Sequence, residues 1–155
     1  MKEFKSFSFA IKGISVAIRD ESHYRFHFTA TFYVFFFGIL YHLTKLQWCI
    51  LVLNISAVLT AEMFNTAIEN ICDIYTKDYN KNIKIIKDIS AGGVLVSAIT
   101  ASICGVFMFL DLQEITSIAE FYIHTPLALL ELIFTIIIST LFVAKPSCIN
   151  HKFDL

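Results

Sequence analysis

Four stretches of this chain are apolar for close to the thickness of a lipid bilayer, and little sequence is left over between them. They cover residues 28–44, a run from 46 that stays apolar until Glu62, residues 89–110, and Pro126–Ala144. A helix needs ~20 consecutive apolar residues to cross the hydrocarbon core. In lipid the backbone must satisfy its own hydrogen bonds, so such segments fold as helices. Composition closes off the soluble alternative: hydrophobic residues make up 57% and charged residues 16%, with mean hydropathy +0.70. A soluble domain carries about a quarter charged residues. The sixteen phenylalanines, dense at 32–37, suit a lipid solvent. The last stretch is bracketed by Pro126 and Pro146, favourable punctuation at the start of a helix and just past its end. Glu131 inside it opposes insertion, at a cost on the order of 3 kcal/mol for an acid at a helix centre.

The first residues read differently. Phe4, Phe7, Ile11, Ile14 and Ile18 recur at helical spacing among Lys5, Lys12 and Arg19. Residues 2–24 therefore form an amphipathic helix lying in the membrane interface. Lys12 and Arg19 break what would be a signal peptide's apolar core. The expected fold class is an all-α integral membrane protein: an N-terminal amphipathic surface helix, three transmembrane helices and a fourth, C-terminal span. Charge sets the orientation. Lys2, Lys5, Lys12, Arg19 and Arg25 precede the first span; Lys77, Lys81, Lys84 and Lys87 lie between the second and third; Lys145 and Lys152 follow the fourth; Lys45 alone falls on the other side. The positive-inside rule makes the N-terminus and the 74–88 loop cytoplasmic. The linker 111–125, with Asp111, Glu114 and Glu120 and no Lys or Arg, goes outside. Cys49, Cys72, Cys104 and Cys148 are far apart and read as small packing residues. No basic patch interleaves with exposed aromatics, so nucleic acid is not an expected partner.

The second apolar run ends unusually, in Glu62-Met63-Phe64-Asn65-Thr66-Ala67-Ile68-Glu69-Asn70-Ile71-Cys72-Asp73. At about 100° per residue, Glu62, Asn65, Glu69 and Asp73 fall within about 80° of one another, a stripe ~16 Å long. Acids at a membrane boundary are costly and mark a functional site by default. Carboxylates with an amide make a hard oxygen cluster suited to Mg²⁺, which also bridges nucleotide phosphates. The plainer reading is a solvated helix end whose acids pair with Lys77, Lys81 or Arg25.

These residues carry a family resemblance. Glu62-x-x-Asn65-Thr66-Ala67-Ile68-Glu69-x-x-x-Asp73, followed by Lys87-Asp88-x-x-Ala91-Gly92-Gly93-Val94-Leu95-Val96, resembles the small prokaryotic diacylglycerol kinase / undecaprenol kinase family. Glu21-x-x-Tyr24-Arg25-x-His27 and the helix from Phe4 to Gly13 match in order and spacing, so the resemblance covers roughly residues 2–110. It implies a homotrimeric kinase of the bacterial inner membrane that moves the γ-phosphate of ATP to a lipid hydroxyl, with Mg²⁺ as cofactor. It implies Glu62 as general base, and Glu21 and Glu69 as metal-bridging carboxylates. Asn65 and Arg25 line the site. Asp73, Lys87 and Asp88 contact nucleotide, and Lys2, Phe9, Asp78 and Asn80 stand where further nucleotide contacts occur. The lipid kinase domain is then 1–110, and 111–155 is an extension carrying the additional span.

Several of these residues also have plain structural readings. Lys87 suits an interfacial anchor, and Asp88 and Ser90 compete as a helix N-cap. Gly92 and Gly93 suit close helix packing. His23 and His27 stand at a metal spacing, with no further soft ligand in sight. Asp20 stands where many members have Asn, and Asn80 where His is common. His27 leans the substrate toward undecaprenol, with diacylglycerol a close second. The alternative function is a small transporter or channel component using its carboxylates as a proton or ion relay. A relay needs acids at mid-membrane. Since no extension residue joins the acid stripe, the extension is expected to be dispensable for chemistry.

Overall fold

A computed structural model describes residues 2–146, and side chains from Lys5 onward. Six helices follow one another: α1 (Lys2–Asp20), α2 (Ser22–Leu40), α3 (Lys45–Tyr75), α4 (Lys81–Phe109), α5 (Leu112–His124) and α6 (Pro126–Ala144). Lys152 and Cys148 lie outside the described residues.

Local chemistry sets each boundary. The surface helix stops at Asp20, because Glu21 takes extended backbone angles (φ −111°, ψ 119°) and becomes the N-cap residue of α2. Residues 21–24, expected in the surface helix, therefore form an elbow and the first turn of the next helix. The first expected span, 28–44, ends early: α2 closes at Leu40 and His42 turns the chain in the left-handed region (φ 49°). Thr44 then starts α3 with a capping box: its hydroxyl accepts the Gln47 N–H at 3.4 Å, and Gln47 Oε1 accepts the Thr44 N–H at 2.8 Å.

α3 has 31 residues, about 46 Å of helix, and α4 has 29, about 43 Å. Both exceed the ~30 Å hydrocarbon core. The expected cytoplasmic loop at 74–88 is accordingly mostly helix, with only residues 76–80 connecting α3 to α4. α4 begins two turns before Asp88 and Ser90, and its N-cap is Asn80, whose Oδ1 accepts the N–H groups of Asn82 (2.9 Å) and Ile83 (3.3 Å). The linker 111–125 is also helical: Asp111 Oδ1 caps α5 by accepting the N–H groups of Gln113 (2.9 Å) and Glu114 (3.3 Å).

α3, α4 and α6 are each long and apolar enough to cross a membrane. α2 falls short of that apolarity, since Ser22, His23, Arg25 and His27 occupy its first two turns. α3 and α4 form a long hairpin; α2 packs against α3 on one side and α6 on the other; α1 meets the start of α2, and α5 folds onto α6. Burial is inverted relative to a soluble domain. Phe32, Ile50, Leu95, Phe107 and Leu141 face outward, while Asp20, Arg25, Glu62 and Asn65 are buried. Outward apolar side chains need lipid as solvent, and the polar groups are enclosed at one end of the bundle.

Candidate active site

The stripe on α3 descends from burial to exposure. Glu62 is 4% exposed and Asn65 8%, Glu69 is half-buried and Asp73 is exposed. Neighbouring helices cover the start of the stripe and leave its end open, and the covered carboxylate is the one nearest the apolar part of α3.

Hydrogen bonds tie the stripe together and to α4. Asn65 Nδ2 donates to Glu69 Oε1 at 3.0 Å, and Asn65 Oδ1 accepts from Ser90 Oγ at 2.6 Å. Ser90 Oγ also lies 3.0 Å from the Lys87 carbonyl. One turn further out, Lys87 Nζ donates to Asp73 Oδ1 at 2.5 Å. The amide at Asn65 is thus fixed from both sides, and it holds Glu69 in one orientation. Such linked polar groups rigidify a site when each is satisfied.

The third wall is the elbow between α1 and α2. The groups acting electrostatically on Glu62 are His23, Glu69 and Glu21. Glu21 and His23 come from the elbow, so three carboxylates distant in sequence share one neighbourhood with an imidazole. The side chain of Glu21 does not cap α2. Among the described residues no three His, Cys, Asp or Glu side chains form a group able to hold a metal ion on their own. The arrangement suits an ion held by one or two carboxylates that takes its remaining oxygens from substrate phosphates, as Mg²⁺ does. His23 and His27 do not form a metal pair with any third ligand.

The other expected residues are placed as follows. Lys87 and Asp88 go to different partners, Asp88 accepting from Lys84 Nζ at 3.0 Å across an exposed helix turn. Asn80 caps α4, and Asp78 lies in the connecting turn, its N–H donating to Thr76 Oγ1 at 3.0 Å. Phe9 is exposed on α1 with the Lys12 ammonium 5.9 Å from its ring centre. Lys2 begins α1, but its side chain lies outside the described residues. Arg25 is 1% exposed, and its guanidinium donates to the carbonyls of Arg19 (2.9 Å), Ile18 (3.4 Å) and Lys145. Ser90 and His23 have places in the site that the sequence reading did not give them. The signal for Ser90 was its spacing: it follows Lys87 by three residues and so shares its helix face.

The family profile described as "Prokaryotic diacylglycerol kinase" matches residues 8–109, about two thirds of the chain. An undecaprenol kinase of Bacillus subtilis is 37% identical over 107 residues, covering 69% of this chain and 87% of that protein. A diacylglycerol kinase of Synechocystis is 35% identical over 101 residues, covering 64% of this chain and 58% of that protein. No solved structure matches the chain. The elbow, the acid stripe and the start of α4 all lie within the matched residues, whereas α5 and α6 lie beyond them. The chain belongs to the prokaryotic diacylglycerol kinase family.

Proposed function

We propose that the protein transfers the γ-phosphate of ATP, with Mg²⁺, to the hydroxyl of a membrane lipid alcohol, undecaprenol in preference to diacylglycerol. Family membership makes it a lipid kinase. The observation that carries the fuller reading is the enclosed carboxylate of Glu62 at the apolar end of a stripe whose other end is wet. A lipid hydroxyl that never leaves the bilayer meets an acid there, and a nucleotide arriving from water meets Glu69 and Asp73. Glu62 takes the hydroxyl proton as the oxygen attacks the γ-phosphorus and the bond to the ADP oxygen breaks. Glu21 and Glu69 are the carboxylates that would hold Mg²⁺, and the Asn65 amide donates to Glu69 Oε1 and fixes its orientation. When bound, Mg²⁺ neutralises the phosphate charge that such a transfer concentrates. Lys87, Asp88, Asp78, Asn80, Phe9 and Lys2 flank the nucleotide from α1 and the start of α4. Undecaprenol is favoured by His27 and by the greater share of the undecaprenol kinase that this chain covers.

The same reading places the protein in the bacterial inner membrane, with the N-terminus and the 76–80 connection in the cytoplasm. It also takes the protein as a homotrimer. α4 buries none of its side chains within one subunit, and a second copy covering that face would complete the nucleotide side of the site. A proton or ion relay is the weaker reading, because Glu69 and Asp73 sit in the last two turns of α3 and Asp88 in an exposed turn of α4, not at mid-membrane.

The deciding experiment offers the purified protein labelled ATP with undecaprenol and diacylglycerol together, with and without Mg²⁺. Expected is label in undecaprenyl phosphate, in excess over phosphatidic acid, and none without the metal. Label in neither lipid overturns the reading.

A further inference from the structure

We infer that Arg25 is a positioning residue through which the C-terminal extension holds the elbow carrying Glu21 and His23. This rests on the lipid kinase reading for its catalytic consequence, but not for its geometry. Arg25 is the most deeply buried large side chain described, at 1% exposure. Its guanidinium lies where two helices end. The carbonyls of Ile18 and Arg19 belong to the last turn of α1, and the carbonyl of Lys145 is the C-cap of α6. Helix C-termini present unsatisfied carbonyls and a partial negative charge, so one cation between two of them stabilises both. The α6 terminus comes from outside the family-matched region 8–109.

Arg25 sits one helical turn after Glu21. The Arg25 N–H donates to the Glu21 carbonyl at 3.2 Å, and the Glu21 N–H donates to the Ala17 carbonyl at 3.0 Å. The extended break at Glu21 thus lies between two main-chain hydrogen bonds, one turn from the guanidinium that ties the end of α1 to the end of α6. Two turns along α2, Tyr33 Oη and Ser139 Oγ lie 3.0 Å apart, closing the same α2–α6 seam. On this inference the extension bears on the site without contributing a reacting group.

The test uses the full chain. Arg25→Ala removes the strut, Arg25→Lys keeps the charge with fewer donors, and Ser139→Trp wedges the seam while leaving every stripe and elbow residue in place. Arg25→Ala and Ser139→Trp should each raise KM for MgATP about 10-fold, since a ~1 Å misplacement of a positioning group costs 10–100-fold. KM for the lipid should stay within about 2-fold, and Arg25→Lys should recover part of the loss. General loss of folding would lower the active fraction, and so kcat, without a selective rise in KM for MgATP. A second readout needs no turnover. With the four native cysteines replaced by serine, Ala17→Cys places a thiol at a buried position in the last turn of α1. Its alkylation by a polar maleimide should quicken in both disrupting variants. A Ser139→Trp protein that matches the parent in KM and alkylation overturns the inference, as does a parallel rise in both KM values. Faster alkylation in a protein that phosphorylates neither lipid sinks the kinase reading and leaves the strut standing.

Discussion

Glu62 and Asn80 show how one side chain answers to both fold and chemistry. A carboxylate is not enclosed beside two other acids for stability, since burial and like charge both oppose its ionised form. Glu62→Gln keeps shape and hydrogen-bonding capacity but removes the base. Turnover should fall at least ~100-fold, the usual scale for a general base, while detergent-extracted protein keeps its oligomeric size. Near-normal turnover would remove Glu62 from its role. Asn80 spends Oδ1 on capping α4, which leaves Nδ2 as the donor for the proposed nucleotide contact. Asn80→Ala should lower stability by ~1 kcal/mol through the lost cap. Asn80→Asp keeps the cap and replaces the donor with negative charge. Its Tm should match the parent, and its KM for MgATP should rise about 10-fold, equivalent to ~1.4 kcal/mol. An unchanged KM would confine Asn80 to capping. At this scale the α3 stripe was legible, because helical spacing alone puts Glu62, Asn65, Glu69 and Asp73 on one face. The partners Ser90 and His23 were not, because they depend on how α4 and the elbow pack against α3, which no local period encodes.

The elements were legible where punctuation is strong. Pro126 and the apolar run behind it gave α6 its observed limits. α5 was read as linker, although Asp111 is a sound N-cap and Leu112, Ile115, Ile118 and Tyr122 recur on one face. Its acids are a topology signal, and the amphipathic period beneath them makes the segment a helix. The corner between α2 and α3 had no such signal. Phe35 stacks on Trp48 with ring centres 5.5 Å apart, and Gly38 lies beneath the same indole. A methyl added at Gly38 would come within 2.9 Å of the Trp48 ring and 3.1 Å of Leu43. Gly38→Ala should therefore destabilise the corner by about 1–3 kcal/mol, the usual cost of overfilling a packed site. Trp48 is the single tryptophan, so its fluorescence reads the displacement directly. A shifted emission with a lowered Tm is expected, and an unchanged spectrum would show that the indole tolerates the methyl.

Across the whole molecule, charge distribution and helix contacts group the same helix ends at one face. On the proposed orientation, the lysine and arginine distribution puts the start of α2, the end of α3 and the start of α4 in the cytoplasm. The contacts bring these ends together directly. Lys87 at the start of α4 pairs with Asp73 at the end of α3, and Arg25 at the start of α2 holds the carbonyl of Lys145 at the end of α6. At the opposite face Tyr41, just after α2, donates its hydroxyl to the carbonyl of Phe109 at the end of α4 at 3.0 Å. On the proposed orientation α6 runs from the outer face to the cytoplasmic one, antiparallel to α2, and its 19 residues give ~28 Å, close to the hydrocarbon thickness. Glu131 sits in the second turn of α6, where it lines an apolar cavity of about 270 Å³ with Tyr122 of α5 and Phe36 of α2. Placed near the outer interface, its charge avoids the bilayer centre, where insertion would cost on the order of 3 kcal/mol. In intact cells carrying a chain otherwise free of cysteine, His124→Cys should react with an impermeant maleimide added outside. Lys145→Cys should react only after the membrane is opened. Labelling of both positions from outside would place α6 on the membrane surface and leave the bundle without its fourth crossing.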